Sequence, residues 1–156
     1  MRGEKRTFST WSPSYAARYI KGFEGRQLVA YRCPAGILTI GNGHTGSDVY
    51  EGMTITDAQA DEYLMQDILT VVRGLARYIN VPVTEGQFIA LVSLGFNVGA
   101  SYVVHSCQKL MRAINCGDEE EAARQFLDIT RSNGVILPGL VRRRKVEADL
   151  YLNDVM

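Results

Sequence analysis

The sequence predicts an α+β fold, with a small antiparallel sheet near the N-terminus and a mostly helical remainder. Three observations carry that prediction. Strand-like patterning is confined to residues 28–50, two capping boxes then open long helices with apolar stripes, and helical patterning continues to the C-terminus. A chain of 156 residues most simply makes one domain, residues 1–156, in three parts. These are a β-containing lobe over about 13–55, a connecting helix over about 56–80 and a helical lobe over about 81–156.

Residues Met1 to Thr10 are polar and aperiodic, which predicts a loose terminus pinned by Phe8 and Trp11. Ser12 reads as an N-cap with Pro13 at the first helical position, and Tyr15, Ala16, Tyr19, Ile20 and Phe23 follow at helical spacing. Gly25 closes this helix, so Glu24 falls in its last turn. Leu28 to Tyr31 and Ile37 to Ile40 are strand-like, and Cys33-Pro34-Ala35-Gly36 between them suits a type I turn. A second turn, Gly41-Asn42-Gly43, leads to a third short strand or loop around His44 to Tyr50.

Thr56 and Gln59 form a capping box before a stripe through Leu64, Ile68, Val71, Val72, Leu75 and Ile79, predicting a helix to about Asn80. Pro82 ends it. Thr84 and Gln87 form a second box for a largely apolar helix through Phe88, Leu91, Val92 and Phe96, closed by Gly99. Such a helix is central. Tyr102 to Ile114 reads as one further helix, Asp118 and Glu121 box the next through Ala122, Phe126 and Ile129, and Pro138-Gly139 open the last.

Seventeen basic and seventeen acidic residues cancel, so no global charge points to nucleic acid or a membrane surface. No run of about 18 apolar residues could span a bilayer, and the first thirty residues lack a signal-peptide core. Cys33, Cys107 and Cys116 cannot all pair internally, and with His44 and His105 they match no zinc spacing. The expectation is a reduced protein without metal or cofactor.

Gly41-x-Gly43-x-x-Gly46 matches the dinucleotide fingerprint in letters, but no helix begins on its glycines to meet a pyrophosphate. Cys33 with His44 could be a thiol nucleophile and its base, although no orienting carboxylate is readable. Glu24 carries more. A carboxyl at a helix C-terminus meets the negative end of the dipole, and Phe23 and Leu28 withdraw it from water; both favour the protonated form that a general acid needs.

Eight residues separate Glu24 from Cys33 and five more separate Cys33 from Thr39. This segment resembles the phage-type lysozymes, the muramidases of T-even and lambdoid bacteriophages, whose signature is Glu, eight residues, Asp or Cys, five residues, Thr. The resemblance extends through Val81-Pro82-Val83, Gln87, Phe96-Asn97-Val98-Gly99, Ser106 and Leu137-Pro138-Gly139-Leu140-Val141-Arg142-Arg143-Arg144. It implies a lysozyme-like fold, two lobes joined by a long helix, with a peptidoglycan cleft between them.

The resemblance also implies roles. Glu24, Cys33 and Thr39 are the catalytic set, Arg142 pairs with the glutamate, and Thr45, Gln87, Phe96, Asn97 and Ser106 line the cleft. Cys33 stands where most members carry aspartate, and Ile129 where many carry tryptophan. The implied activity is hydrolysis of the β-1,4 bond between N-acetylmuramic acid and N-acetylglucosamine, with lysis of the host cell. A lytic transglycosylase, or an inactive wall-binding or phage-structural module, is the alternative. The implied protein is a monomer whose partner is peptidoglycan, without nucleic acid or stable membrane insertion, held in the host bacterial cytoplasm until release to the periplasm.

Overall fold

The computed structural model describes residues 3–155. Helix α1 (Ser14–Glu24) leads into strands β1 (Gln27–Arg32), β2 (Leu38–Gly41) and β3 (His44–Thr45). These form one antiparallel sheet in the order β1-β2-β3. Helices α2 (Asp57–Ala76), α3 (Glu85–Val98), α4 (Ala100–Ser106), α5 (Gln108–Cys116) and α6 (Glu119–Phe126) follow. A two-stranded hairpin, β4 (Arg131–Ser132) and β5 (Val135–Ile136), then precedes α7 (Pro138–Asn153). The architecture is α+β. Among the described residues, no single helix is long and apolar enough to cross a membrane.

Local chemistry sets most boundaries. Both capping boxes form in full, with Thr56 and Thr84 accepting from the backbone of Gln59 and Gln87 while those side chains return to the cap N–H. Each box satisfies two amides that a helix start otherwise leaves without partners. Cys33 to Gly36 turns the first hairpin: Gly36 N–H donates to Cys33 O at 2.8 Å, and Cys33 N–H donates to Ile37 O at 3.0 Å. Gly36 takes φ +82° there, the left-handed residue that follows a type I turn in a three-residue hairpin loop.

Two apolar clusters share α2. Ile40, Val49, Ile55 and Ala60 make a small core beneath the sheet, while Leu64, Ile68, Val71, Val72 and Leu75 belong to the main core with α3. Residues Gly86 to Gly95 of α3 are all buried, as expected of a helix apolar around its whole circumference. It packs against α1, α2, α4 and α7.

Three expectations need correction. The N-terminal stretch is tied down rather than loose: Phe8 and Trp11 pin it as expected, Phe8 packing on Phe88 and Trp11 Nε1 donating to Val83 O at 3.0 Å, and Arg6 also exchanges backbone hydrogen bonds with Val83. Met1 and Arg2 lie outside the described residues. The helix expected over Tyr102 to Ile114 breaks at Cys107, whose φ −101° and ψ 57° leave helical geometry between α4 and α5. Finally, α6 stops at Phe126, and Ile129 packs against the main core from the turn beyond it.

Candidate active site

Glu24 is the last residue of α1, and Gly25 turns the chain away from it with φ +66°. Its Oε1 accepts from Arg143 Nη1 at 2.6 Å. Gly43, in the β2–β3 turn, approaches from the other side. A Cβ on Gly43 would lie 3.1 Å from Glu24 Oε2 and 3.8 Å from Phe96, and its φ is +86°, so this turn needs glycine on both counts.

The sheet presents the other candidates in a row. Tyr31 lies opposite Thr39, and Thr39 opposite Thr45, so these three side chains leave one face of the sheet. Cys33, two residues beyond Tyr31, follows at the tip. The backbone N–H groups of Ile37 and Ala35, opposed by slight desolvation and aided by the Thr39 hydroxyl, hold the Cys33 thiol below its ordinary value. Burial pushes the Tyr31 phenol up, and the charges of Glu24 and Cys33 push it the same way, so the phenol is within electrostatic reach of both. Thr39 Oγ1 donates to Ile37 O at 2.9 Å, which fixes its rotamer at the base of the turn.

Thr45 continues into an open depression of about 230 Å³ lined also by Gly43, Asp67, Val71, Phe96 and Ala100. Thr45 and Phe96 both line this depression, which reaches Glu24 through Gly43. The remaining expectations land elsewhere. Arg142 is exposed, and Arg143 is the arginine that meets Glu24. One residue along a helix is a rotation of about 100°, enough to exchange the solvent face for the buried one. Gln87 is spent on its capping box and a hydrogen bond to Glu119. Asn97 accepts from Arg144, and Ser106 is an exposed residue at the end of α4.

Sequence reasoning missed the support behind Arg143. Its Nη2 donates to Ser93 O at 3.1 Å and its Nε to Ser93 Oγ at 3.3 Å, with Glu147 Oε2 3.4 Å away. Its guanidinium also lies over the Phe23 ring, 4.7 Å from the centroid. The i, i+4 spacing of Arg143 and Glu147 was the available signal.

His44 points away from Cys33, as expected of the residue that alternates with Thr45. It stacks on Tyr63 with centroids 4.0 Å apart, while Nδ1 meets Asp67 of α2 at 2.8 Å and Nε2 meets Asp48 at 3.0 Å. Burial pulls the imidazole down, but Asp67 and Asp48 together more than offset it, so its pKa is raised. Asp48 is correspondingly depressed by His44, whereas burial raises Asp67 despite the same partner. The His44 contribution is complete below about pH 6.5 and is lost as pH rises through its raised folded value. The Asp48 contribution is present above about pH 3.9 and is lost as pH falls through its depressed folded value; Asp67 opposes it, its charged form being disfavoured in the fold. The clamp is thus strongest between about pH 4 and 6.5. His44→Gln is expected to cost about 1–3 kcal/mol at pH 5.5 and clearly less at pH 9, measured by thermal unfolding of both proteins.

The arrangement offers a carboxyl held by a guanidinium, facing a sheet edge that carries a thiol and a hydroxyl. Among the described residues, no group of His, Cys, Asp and Glu is placed to hold a metal ion. Comparisons with known proteins point to one family. A family profile described as phage lysozyme matches residues 21–147. The endolysin of Bacillus phage B103 is 38% identical over 135 residues, covering 85% of this chain and 51% of that protein. This chain thus spans about half the length of that relative. The endolysin of Acyrthosiphon pisum secondary endosymbiont phage 1 is 39% identical over 85% of this chain and 91% of its own. Among solved structures, an endolysin from Escherichia coli O157:H7 phage FAHEc1 superposes with a TM-score of 0.83 at 34% identity, covering 99% of this chain and 98% of that one. The muramidase domain of SpmX from Asticaccaulis excentricus gives 0.78 at 36% identity, covering 88% and 94%.

Proposed function

The chain belongs to the phage lysozyme family, and from that premise we propose that it is an endolysin. It is a glycosidase that hydrolyses the β-1,4 bond between N-acetylmuramic acid and N-acetylglucosamine in bacterial peptidoglycan, and its action lyses the host cell. The observation that carries this reading is Glu24 at the end of α1, held by Arg143 and lying against Gly43 of the sheet that bears Thr39, with Cys33 at the tip of its first hairpin.

Glu24 protonates the glycosidic oxygen as the leaving group departs, and a nucleophile approaches from the opposite face of the sugar. Cys33 and Thr39 supply that face. A water held between them gives inversion, while direct attack by the Cys33 thiolate gives a covalent glycosyl-enzyme that water then displaces with Glu24 as base, restoring the thiolate with overall retention. Thr45 and Phe96 border the sugar-binding depression. The reading extends to a monomer that takes no cofactor, binds no nucleic acid, does not insert stably into membranes, and acts after release from the host cytoplasm to the periplasm. The endolysin names of the relatives support the action on peptidoglycan.

Digestion of purified sacculi followed by mass spectrometry of the fragments tests the activity. Reducing N-acetylmuramic acid ends are expected. Anhydro ends would mean a transglycosylase instead, and binding without release would mean a wall-binding module. For the second residue, Cys33→Asp is expected to retain activity and Cys33→Ala to lose about 10²-fold or more, the scale of a lost nucleophile or base. Near-normal rates for both variants would remove Cys33 from the chemistry.

A further inference from the structure

Behind the Glu24–Arg143 pair lies a buried polar network that a stability argument alone does not explain. Glu147 and Arg144 have fully buried side chains, with Arg144 Nη1 3.1 Å from Glu147 Oε1. Arg144 Nη2 donates to Asn97 Oδ1 of α3. Glu147 Oε2 accepts from Ser93 Oγ at 2.5 Å, and the same hydroxyl accepts from Arg143 Nε. The charges therefore alternate inward from the cleft as Glu24, Arg143, Glu147 and Arg144.

Burying such groups is costly, and apolar residues of similar volume commonly hold a core as well or better. This network is also imperfectly satisfied, since Arg144 Nε and Nη1 and Glu147 Oε1 have no hydrogen-bond partner among the described residues. What it does well is geometric. Every guanidinium nitrogen of Arg143 is spoken for, with Nη1 alone directed at the acid. An arginine so held cannot swing away from Glu24. Its charge is also faced from behind by the Glu147 carboxyl, 3.4 Å from Nε.

We propose that Glu147, acting with Ser93, is a positioning residue for the glycosidase reaction: it aims Arg143 at Glu24 and tempers the field that Arg143 exerts there. The inference rests on the function proposed above. The ionisable groups in and around the network are Glu24 on α1, Cys107 between α4 and α5, and Arg143, Arg144 and Glu147 on α7. Of these, Glu147 sets its carboxyl 3.4 Å from Arg143 Nε on the side away from the cleft; burial raises its pKa, and Arg144, Ser93 and Arg143 oppose that rise.

The test is Glu147→Gln, which keeps the shape and removes the charge, beside Ser93→Ala, which removes only the relay hydroxyl. With Glu147→Gln, kcat on sacculi is expected to fall about 10-fold with little change in KM. The alkaline limb of the pH–rate profile should move toward lower pH, because Glu147 no longer offsets the Arg143 charge. Ser93→Ala should fold with a modestly lowered Tm, since it leaves buried partners of the hydroxyl unpaired, and lose about 3- to 10-fold in kcat, within what a lost positioning contact costs. A folded Glu147→Gln protein with both limb and kcat in place overturns the proposal. Should Glu147→Gln not fold, Ser93→Ala decides it: a normal kcat overturns, a lowered one supports. If the wild-type protein itself leaves sacculi intact, the proposed function fails. The 13C titration of the Glu24 carboxyl in the two proteins then decides this inference: a midpoint at lower pH in Glu147→Gln supports it, and an unmoved midpoint overturns it.

Discussion

Glu24→Gln is expected to lower the release of reducing ends from sacculi by about 10²–10⁴-fold while leaving the fold intact. The amide matches the carboxylate in shape, and its oxygen can still accept from Arg143 Nη1, so the contact across the cleft survives. What disappears is the proton. An amide cannot deliver one to a departing sugar oxygen, so the leaving group must depart with its charge uncompensated. Arg143 does not become an isolated buried cation, because Glu147 and Ser93 remain beside it. Circular dichroism and thermal unfolding close to the wild type, with lysis of permeabilised cells abolished, is the expected pair of results. Full activity in the variant would sink the assignment of Glu24.

Gly86→Ala is expected to destabilise the protein by about 3 kcal/mol or more, the upper end for forcing a methyl group into a packed core. A Cβ at this position would lie 2.3 Å from Leu150 O and 2.7 Å from the Asp154 Cα. Both are backbone atoms at the end of α7, so no side-chain rotation relieves the clash. Asp154 makes matters worse, since its Oδ1 accepts the Gly86 N–H at 2.7 Å and Oδ2 accepts the Gly3 N–H at 2.8 Å. For a chain of this length the loss corresponds to a fall in Tm of about 6–12 °C or more. Because α3 and α7 carry Ser93, Arg143 and Glu147, their separation should also weaken catalysis. Denaturant titration of the variant is the measurement, and a midpoint matching the wild type would show that the helices yield at little cost.

The parts of this fold legible in the sequence are those decided by neighbours in the chain. Thr56 with Gln59, and Thr84 with Gln87, specify helix starts through contacts three residues apart, and both boxes form as read. Cys33 to Gly36 likewise contains its own turn. The break at Cys107 was not legible, because no glycine or proline marks it and the apolar stripe runs through; what bends the chain is the packing of α4 against α2 and α3. The β4–β5 hairpin did carry a local signal, Asn133-Gly134, whose positive φ angles make a tight turn. The hairpin is short, and helical patterning flanks it on both sides.

Within the site, spacing along one segment found Glu24, Cys33 and Thr39, but the arginine depends on helix register. Arg142, Arg143 and Arg144 are chemically identical in sequence, and only the docking of α7 on α3 decides which one faces Glu24. Gln87 shows the converse. Its capping role was visible from spacing, and that role already occupied the side chain assigned to the cleft.

The contact between Glu24 and Arg143 joins residues 119 positions apart, one on the first helix and the other on the last. A loop of that length closes late, after the local turns and capped helices have formed. The acid is therefore complete only in a chain synthesised through its final helix and folded around it. A product truncated before α7 could still form capped helices and the first hairpin, yet would hold Glu24 with no guanidinium beside it. Assembly order, and not only geometry, thus separates a finished enzyme from a partly folded chain.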